Sequence, residues 1–329
     1  MSTITPKENY MMLLRKEIPE YVPNFFEERS KKFVEDLLTP QTCPDGPIVT
    51  TLGVTYVGSP DLGNGALPKP GEVVIDDITK WRDQLHITDL SDFDFEDYYR
   101  KKTADIDREK YYIPVVGGDY FLTLVSLLGF EETMLALYTE PEEVHALLDH
   151  ISKFYLMILE KQIMYAKPDT CTIMDDDSAY RAPFFSVEMY REFFKPYQQK
   201  HCDMCLNAGM LLERHDCGMS GQFVGDWIEM GISAWNPAQT TNDLRKIKAT
   251  YGNQIAICGG WDGDKYRDEY DEDVLRAALD EYVDMLAPGG GFVFGVMMMP
   301  KPGDPRDAKR SEFIKKYYEE NVRNYYKTH

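Results

Sequence analysis

Cysteine is scarce in this chain, six in 329 residues, too few at that length for a disulfide framework. Long apolar runs are missing as well. No stretch of about 18 residues is apolar enough to span a bilayer, and the polar opening Met1–Pro6 lacks the apolar core of a secretion signal. These absences predict a cytoplasmic protein whose thiols stay reduced and are therefore open to a metal. Positive charge is the third shortage: 36 Lys and Arg against 56 Asp and Glu leave a net charge of −20. A nucleic-acid backbone repels such a surface unless a compact basic patch overrides it. No such patch is visible. Arg100-Lys101-Lys102 and Lys315-Lys316 sit beside acidic residues and read as solvated helix faces. Neither nucleic acid nor membrane is expected as a partner.

What is present points to a large α/β enzyme. The hydrophobic fraction is 43%, slightly below the globular norm, but 22 Tyr and 16 Phe can fill a core and still line a pocket. In the second half, short runs rich in β-formers alternate with longer amphipathic stretches, the signature of βα units. Strands are expected at Thr170–Met174, Met210–Arg214, Ile232–Trp235, Ile255–Cys258 and Gly291–Val296. Helices are expected after Ser186 as N-cap, over Gln222–Met230 with Gly231 ending it, and over Leu244–Thr250, Asp273–Leu286 and Asp307–Tyr326. The first half is less regular. Glu8–Lys16 reads as helix, Ile48–Val57 as β, Tyr111–Val116 as strand, and Phe121–Tyr138 and Glu142–Ala166 as two long helices. Pro40–Pro47 and Ser59–Gly71 read as loops over a barrel mouth. With no repeat or composition break, the pattern predicts one domain over 1–329. It is expected to be a (β/α)8 TIM barrel with an N-terminal helical extension.

In such a barrel the chemistry gathers at the carboxyl ends of the strands. Those ends carry Asp175-Asp176-Asp177, His215 with Cys217, Asn236, Cys258 with Trp261 and Asp262, and Gly289–Gly291. Side chains alternate along a strand, so Leu211, Glu213, His215 and Cys217 share one face, with Arg214 and Asp216 opposite. If the first set faces inward, an imidazole and a thiol converge from one strand, and these are ligands zinc prefers. Cys258 is a candidate third ligand, and a carboxylate from Glu213 or Asp175–Asp177 a candidate to complete the shell. The plainer reading is a hydrogen-bonded core histidine beside a small buried thiol. Placement at a catalytic rim favours the metal. Crowded carboxylates raise at least one pKa, which makes Asp175, Asp176 and Asp177 candidates for proton donation or ligation; capping or solvating a loop is the alternative. His201, Cys202 and Cys205 follow a helix and read as packing. Trp235, Trp261, Phe292, Phe294 and Met297–Met299 are each ordinary packing residues that together suit an aromatic pocket.

At these residues the sequence resembles the uroporphyrinogen decarboxylase superfamily and, within it, the corrinoid-dependent methyltransferases. The resemblance runs from Thr5-Pro6-Lys7-Glu8-Asn9-Tyr10 and Ile18-Pro19-Glu20-Tyr21-Val22-Pro23 through Asp175-Asp176-Asp177, Pro183, Ser186 and Glu188–Phe193. It continues through His215-Asp216-Cys217-Gly218, Asn236-Pro237 and the Gly-Gly-Trp-Asp after Cys258. Two departures narrow it. The Arg-rich motif that binds porphyrinogen carboxylates is missing: Leu14 to Pro23 holds only Arg15. Zinc relatives that load coenzyme M take a later Cys, where this chain reads Pro288-Gly289-Gly290-Gly291.

The resemblance then implies the substrate-side enzyme of anaerobic O-demethylation, moving a methyl group from a methoxylated aromatic to the corrinoid (cobalamin) of a separate protein. Zinc on His215, Cys217 and Cys258 would polarise the ether oxygen. An Asp of 175–177 would position substrate or donate a proton, Tyr180 would bond a ring substituent, and Trp235, Asn236, Trp261 and Met298 would line the pocket. The expected partners are the corrinoid protein and the small methylated aromatic, with room for a homodimer. The rivals are a metal-free decarboxylase of a small aromatic or pyrrolic acid, and a barrel kept as a scaffold.

Overall fold

The computed structural model describes residues 4–25, 27, 37, 38, 40, 42–59, 65–298 and 304–329. Chain order begins with α1 (Pro6–Leu14), then a small antiparallel sheet β1 (Ile48–Val49), β2 (Thr55–Ser59) and β3 (Gly65–Pro68). Helices α2 (Trp81–Gln84) and α3 (Phe95–Thr103) lead to β4 (Pro114–Gly117). There follow α4 (Tyr120–Leu128), α5 (Phe130–Thr139), α6 (Pro141–Lys161) and β5 (Thr170–Met174), then α7 (Val187–Met189), α8 (Lys195–Asn207) and β6 (Leu211–His215). The rest is α9 (Val224–Glu229), β7 (Ile232–Ala238), α10 (Leu244–Tyr251), β8 (Ala256–Gly259), α11 (Glu272–Leu286), β9 (Phe292–Val293), α12 (Pro305–Tyr317) and α13 (Tyr325–Thr328).

Strands β4 to β9 pair in sequence order, every pair parallel, with helices in the crossovers. A seventh pass lies beyond β9: Phe25 N–H donates to Phe294 O (3.0 Å) and Phe294 N–H to Pro23 O (2.9 Å). The fold is a TIM-type α/β barrel. Its inner wall is small and apolar, with Ala234, Ala256, Cys258 and Val293 packed against Tyr10, Leu13, Leu14 and Tyr112. The outer faces of the same strands, Ile173, Leu212, Trp235, Ile257 and Phe292, belong to the larger core shared with the helices.

Helix α1 closes the amino-terminal end of the barrel. Thr5 and Glu8 form a reciprocal capping box that starts it. Lys7 N–H then donates to Lys110 O, and Lys7 Nζ pairs with Asp169, both just ahead of strands. The Tyr10 ring stacks on Tyr112 at 4.8 Å and its hydroxyl donates to buried Glu213 (2.8 Å). Only the carboxyl ends of the strands are left open for chemistry.

Two expectations change. The single helix over Phe121–Tyr138 is two, α4 and α5, bent 109° apart at Gly129. Gly129 has φ 86° and ψ 157°, which a residue with a Cβ avoids and which ends α4 outright. The stretch Ser59–Gly71 is not all loop, because β3 pairs with β2; residues 60–64 and 41 lie outside the described residues. This sheet reaches α4 through the Tyr56 hydroxyl and Ser126 Oγ, 3.1 Å apart. No single helix among the described residues is long and apolar enough to cross a membrane.

Candidate metal centre and cavity

Strand register sets the site. Met174 is level with His215, and His215 with Asn236. All three line a cavity of about 670 Å³ at the carboxyl end of the barrel, with Val116, Thr172 and Cys217 on the same wall. The lining also includes Phe25, Gln239, Trp261, Asp264 and Met297. Among the described lining residues there is no Lys or Arg.

Three donor groups meet here, two of them, His215 and Cys217, on the cavity wall. One ligand atom each from Asp176, His215 and Cys217 lies within 4.8 Å of the others. Asn236 decides which nitrogen of His215 is free. Its Nδ2 donates to Arg214 O (3.3 Å), so its Oδ1 accepts from His215 Nδ1–H (3.1 Å) and Nε2 keeps its lone pair. That Nε2 stands 3.6 Å from Cys217 Sγ and 4.0 Å from Asp176 Oδ1. Tetrahedral zinc, with bonds of about 2.05 Å to nitrogen and about 2.3 Å to sulfur, holds those two donors about 3.6 Å apart. The imidazole and thiol fit it as they stand. The carboxylate needs a closure of roughly 0.7 Å.

Burial pushes the Cys217 thiol above its ordinary range, and the carboxylates of Asp176 and Asp216 push the same way. A divalent cation reverses that balance, so binding one would expel the thiol proton. The backbone fixes Asp176 in place, since its Oδ1 accepts from Cys217 N–H at 2.8 Å and so ties the end of β5 to the end of β6.

Behind the wall lies a second set of charges. Arg214, fully buried, bridges Asp177 and Asp216, its guanidinium 5.1 Å from the Trp227 ring. Asp216 Oδ1 accepts from Asp177 N–H (3.3 Å) and from the Ser220 hydroxyl. Asp175 accepts from the Phe121 and Leu122 amides that open α4, both at 2.9 Å, and from Gln198 Nε2 at 3.2 Å. Burial pushes its carboxyl up to about 8, against the pull of Arg214 and those amides. Burial likewise raises Asp177 and Asp216, with Arg214 opposing.

The expected site residues therefore divide. Asp176, His215 and Cys217 come together, and Asn236 and Trp261 share their cavity, Trp261 stacked on Tyr266 at 4.7 Å. Cys258 lines the same cavity but stands outside the cluster, two strands from His215. Asp175 and Asp177 are sealed behind the wall rather than facing substrate. Trp235 also faces outward: its ring packs on Trp227 and its Nε1–H donates to Asp216 O. Tyr180 is 63% exposed and does not line the cavity, its carbonyl accepting from the Thr241 hydroxyl. Met297, not Met298, lines it, and Met299 lies outside the described residues. No residue of Pro40–Pro47 or Ser59–Gly71 is among the described lining residues. Phe292 and Phe294 belong to the outer core.

Thr172, Gln239 and Asp264 were not expected from the sequence. Strand parity from Met174 would have found Thr172. Gln239 and Asp264 sit in loops, where no such rule applies.

The sequence family described as uroporphyrinogen decarboxylase (URO-D) matches residues 90–298, a span that holds every cavity-lining residue named above except Phe25. A solved methyltransferase from Methanosarcina mazei is similar over 94% of this chain and 99% of its own, with a TM-score of 0.59 at 15% identity. A xylose isomerase domain protein from Planctomyces limnophilus is similar over 68% and 83% at 12% identity, but its TM-score of 0.35 is too low to bear on the fold. No curated protein matches the sequence.

Proposed function

This chain belongs to the uroporphyrinogen decarboxylase family, and we propose that it is a zinc-dependent methyltransferase. It would move the methyl group of a methoxylated aromatic to the cobalt of a separate corrinoid protein. The observation that carries this reading is the trio of Asp176, His215 and Cys217, whose donor atoms gather where His215 and Cys217 line the cavity. Likeness in fold to a methyltransferase adds to it.

The three donors play different parts. His215 presents Nε2 because Asn236 occupies Nδ1. Cys217 gives a thiolate once its proton leaves. Asp176 supplies the third donor and, through the Cys217 amide, keeps the two strand ends together. Bound zinc would act as a Lewis acid toward an ether oxygen, easing the departure of a phenolate. Val116, Met174, Pro237 and Trp261 give the apolar walls an aromatic ring needs. In the transfer the ether oxygen would keep the electron pair of the methyl–oxygen bond, and the reduced corrinoid of the partner would supply the pair that accepts the methyl group. A polycarboxylate substrate suits the cavity poorly, since no cation stands among its described lining residues.

Two measurements test the reading together. Purified protein is expected to carry near-stoichiometric zinc, lost in His215→Ala and Cys217→Ala, which remain folded by circular dichroism. Anaerobic incubation with a reduced corrinoid protein and methoxyarenes is expected to produce methylcobalt absorbance. Fully folded, metal-free protein, or decarboxylation of an aromatic acid without zinc, would contradict it.

A further inference from the structure

Gln239 lies just past the end of β7, on the cavity wall. Its side-chain oxygen accepts from Gly218 N–H at 2.6 Å. Gly218 directly follows Cys217, so the carboxamide of Gln239 sits one residue from the metal-binding thiol. Accepting that bond fixes the orientation of the amide. Oε1 is spent on the backbone, and the NH2 group has no partner among the described residues.

The arrangement around it is rigid. Asn242, 8% exposed, donates Nδ2–H to Gly218 O (2.9 Å) and to Gln239 O (3.0 Å), and its own N–H also donates to Gln239 O. Gly218 has φ 80°, and a Cβ there would fall 2.5 Å from Ser178 O and 2.6 Å from Ala179 O. The Gln239 main chain, through Asn242, and its side-chain oxygen are thus both tied to backbone that also carries Cys217. Asn236 uses both halves of its amide, and Asp176 spends Oδ1 on the Cys217 amide. A held donor with nothing to bond, beside a Lewis-acid site, is how a cavity selects an acceptor on its ligand.

We propose that Gln239 is the specificity-determining residue of this cavity, donating from its NH2 group to an oxygen on the ring carbon next to the reacting ether. The preferred substrates are then aryl methyl ethers with an ortho oxygen, as a hydroxyl or a second methoxy group. This rests on the reading of the cavity as an aryl methyl ether site. An isolated ether gains nothing from Gln239. A para oxygen carries the same chemistry on the opposite side of the ring from the reacting ether.

The test uses acceptor-only probes on the zinc-loaded, full-length protein. Equilibrium binding of 1,2-dimethoxybenzene, 1,4-dimethoxybenzene and anisole is measured by calorimetry, with no methyl acceptor present. The wild type is expected to bind the 1,2 isomer roughly tenfold tighter than the other two, the yield of one well-placed hydrogen bond. Gln239→Glu keeps an acceptor for Gly218 N–H but has no donor, and Gln239→Met has neither. In both the preference is expected to fall to within about twofold, with anisole binding and zinc content unchanged. A preference that survives in both variants overturns the proposal, as does its absence from the wild type or an equal loss for all three probes. If the preference depends on Gln239 but no methyl group reaches any corrinoid, the methyltransferase reading fails and the ortho-oxygen subsite stands.

Discussion

The two faces of the wall formed by the ends of β5 and β6 both carry aspartate and put it to opposite uses. Facing inward are Asp176, His215 and Cys217, partly open and with donor atoms close to one another. Facing the helices are Asp175, Asp177, Arg214 and Asp216, all fully buried and bonded to one another or to the start of α4. Residues alternate between the two sets along both segments. An aspartate is therefore a ligand candidate or a structural charge according to whether it stands an even or odd number of residues from Met174 at the end of β5, or from His215 at the end of β6. The outward set binds the strand ends together, and the inward set inherits its geometry from that bond.

The sharpest way to break the comparison is to remove the outward cation. Arg214→Ala leaves Asp177 and Asp216 buried without their counter-charge, and such a loss costs about 3–5 kcal/mol. Urea unfolding should show that fall, or the protein should fail to accumulate in soluble form. His215→Ala, which touches only the inward set, should unfold at nearly the wild-type urea concentration. Similar losses for both would dissolve the distinction.

A smaller effect is expected where the two faces meet. Asn236→Ala frees His215 to turn and to change tautomer, and loss of such a supporting bond weakens metal binding by about 10–100-fold. Competition with a chromophoric chelator would measure it, with thermal stability close to wild type.

The smallest effect is one of pH. Asp175 titrates near 8 in the folded chain against an ordinary 3.8. Between about pH 4 and pH 8 the folded state therefore holds a proton that the unfolded state gives up. Stability contributed by this group is full below that window and is lost as pH rises through it. Asp175→Asn cannot accept from both the Phe121 and Leu122 amides, so it should cost about 1–2 kcal/mol at pH 5. That deficit should shrink toward pH 8, where the wild type has lost its advantage. A pH-independent deficit would show that Asp175 is ionised in the fold.

Much of this is legible in the sequence, because period-two alternation survives in any strand. Thr170–Met174 is found where expected, and Ser186 caps α7 through Met189 N–H. The same rule, applied to the end of β5, would have singled out Asp176 from its two neighbours, and it would have turned Trp235 outward once Asn236 was placed inward. What it cannot give is distance around the barrel. Cys258 is on the inner face and about level with His215, but two strands away, roughly 9–10 Å along the wall at ordinary strand spacing. Its place at a strand end made it a candidate ligand. The break at Gly129 was hidden for a different reason: the apolar pattern runs through it, and only the backbone angle at one residue interrupts the helix.

The central claim is that the metal belongs to Asp176, His215 and Cys217. X-ray absorption at the zinc edge of the loaded protein tests it most directly. The account predicts one sulfur at about 2.3 Å with nitrogen and oxygen at about 2.0–2.2 Å, a spectrum unchanged in Cys258→Ser. Two sulfurs in the wild type, falling to one in Cys258→Ser, would contradict it.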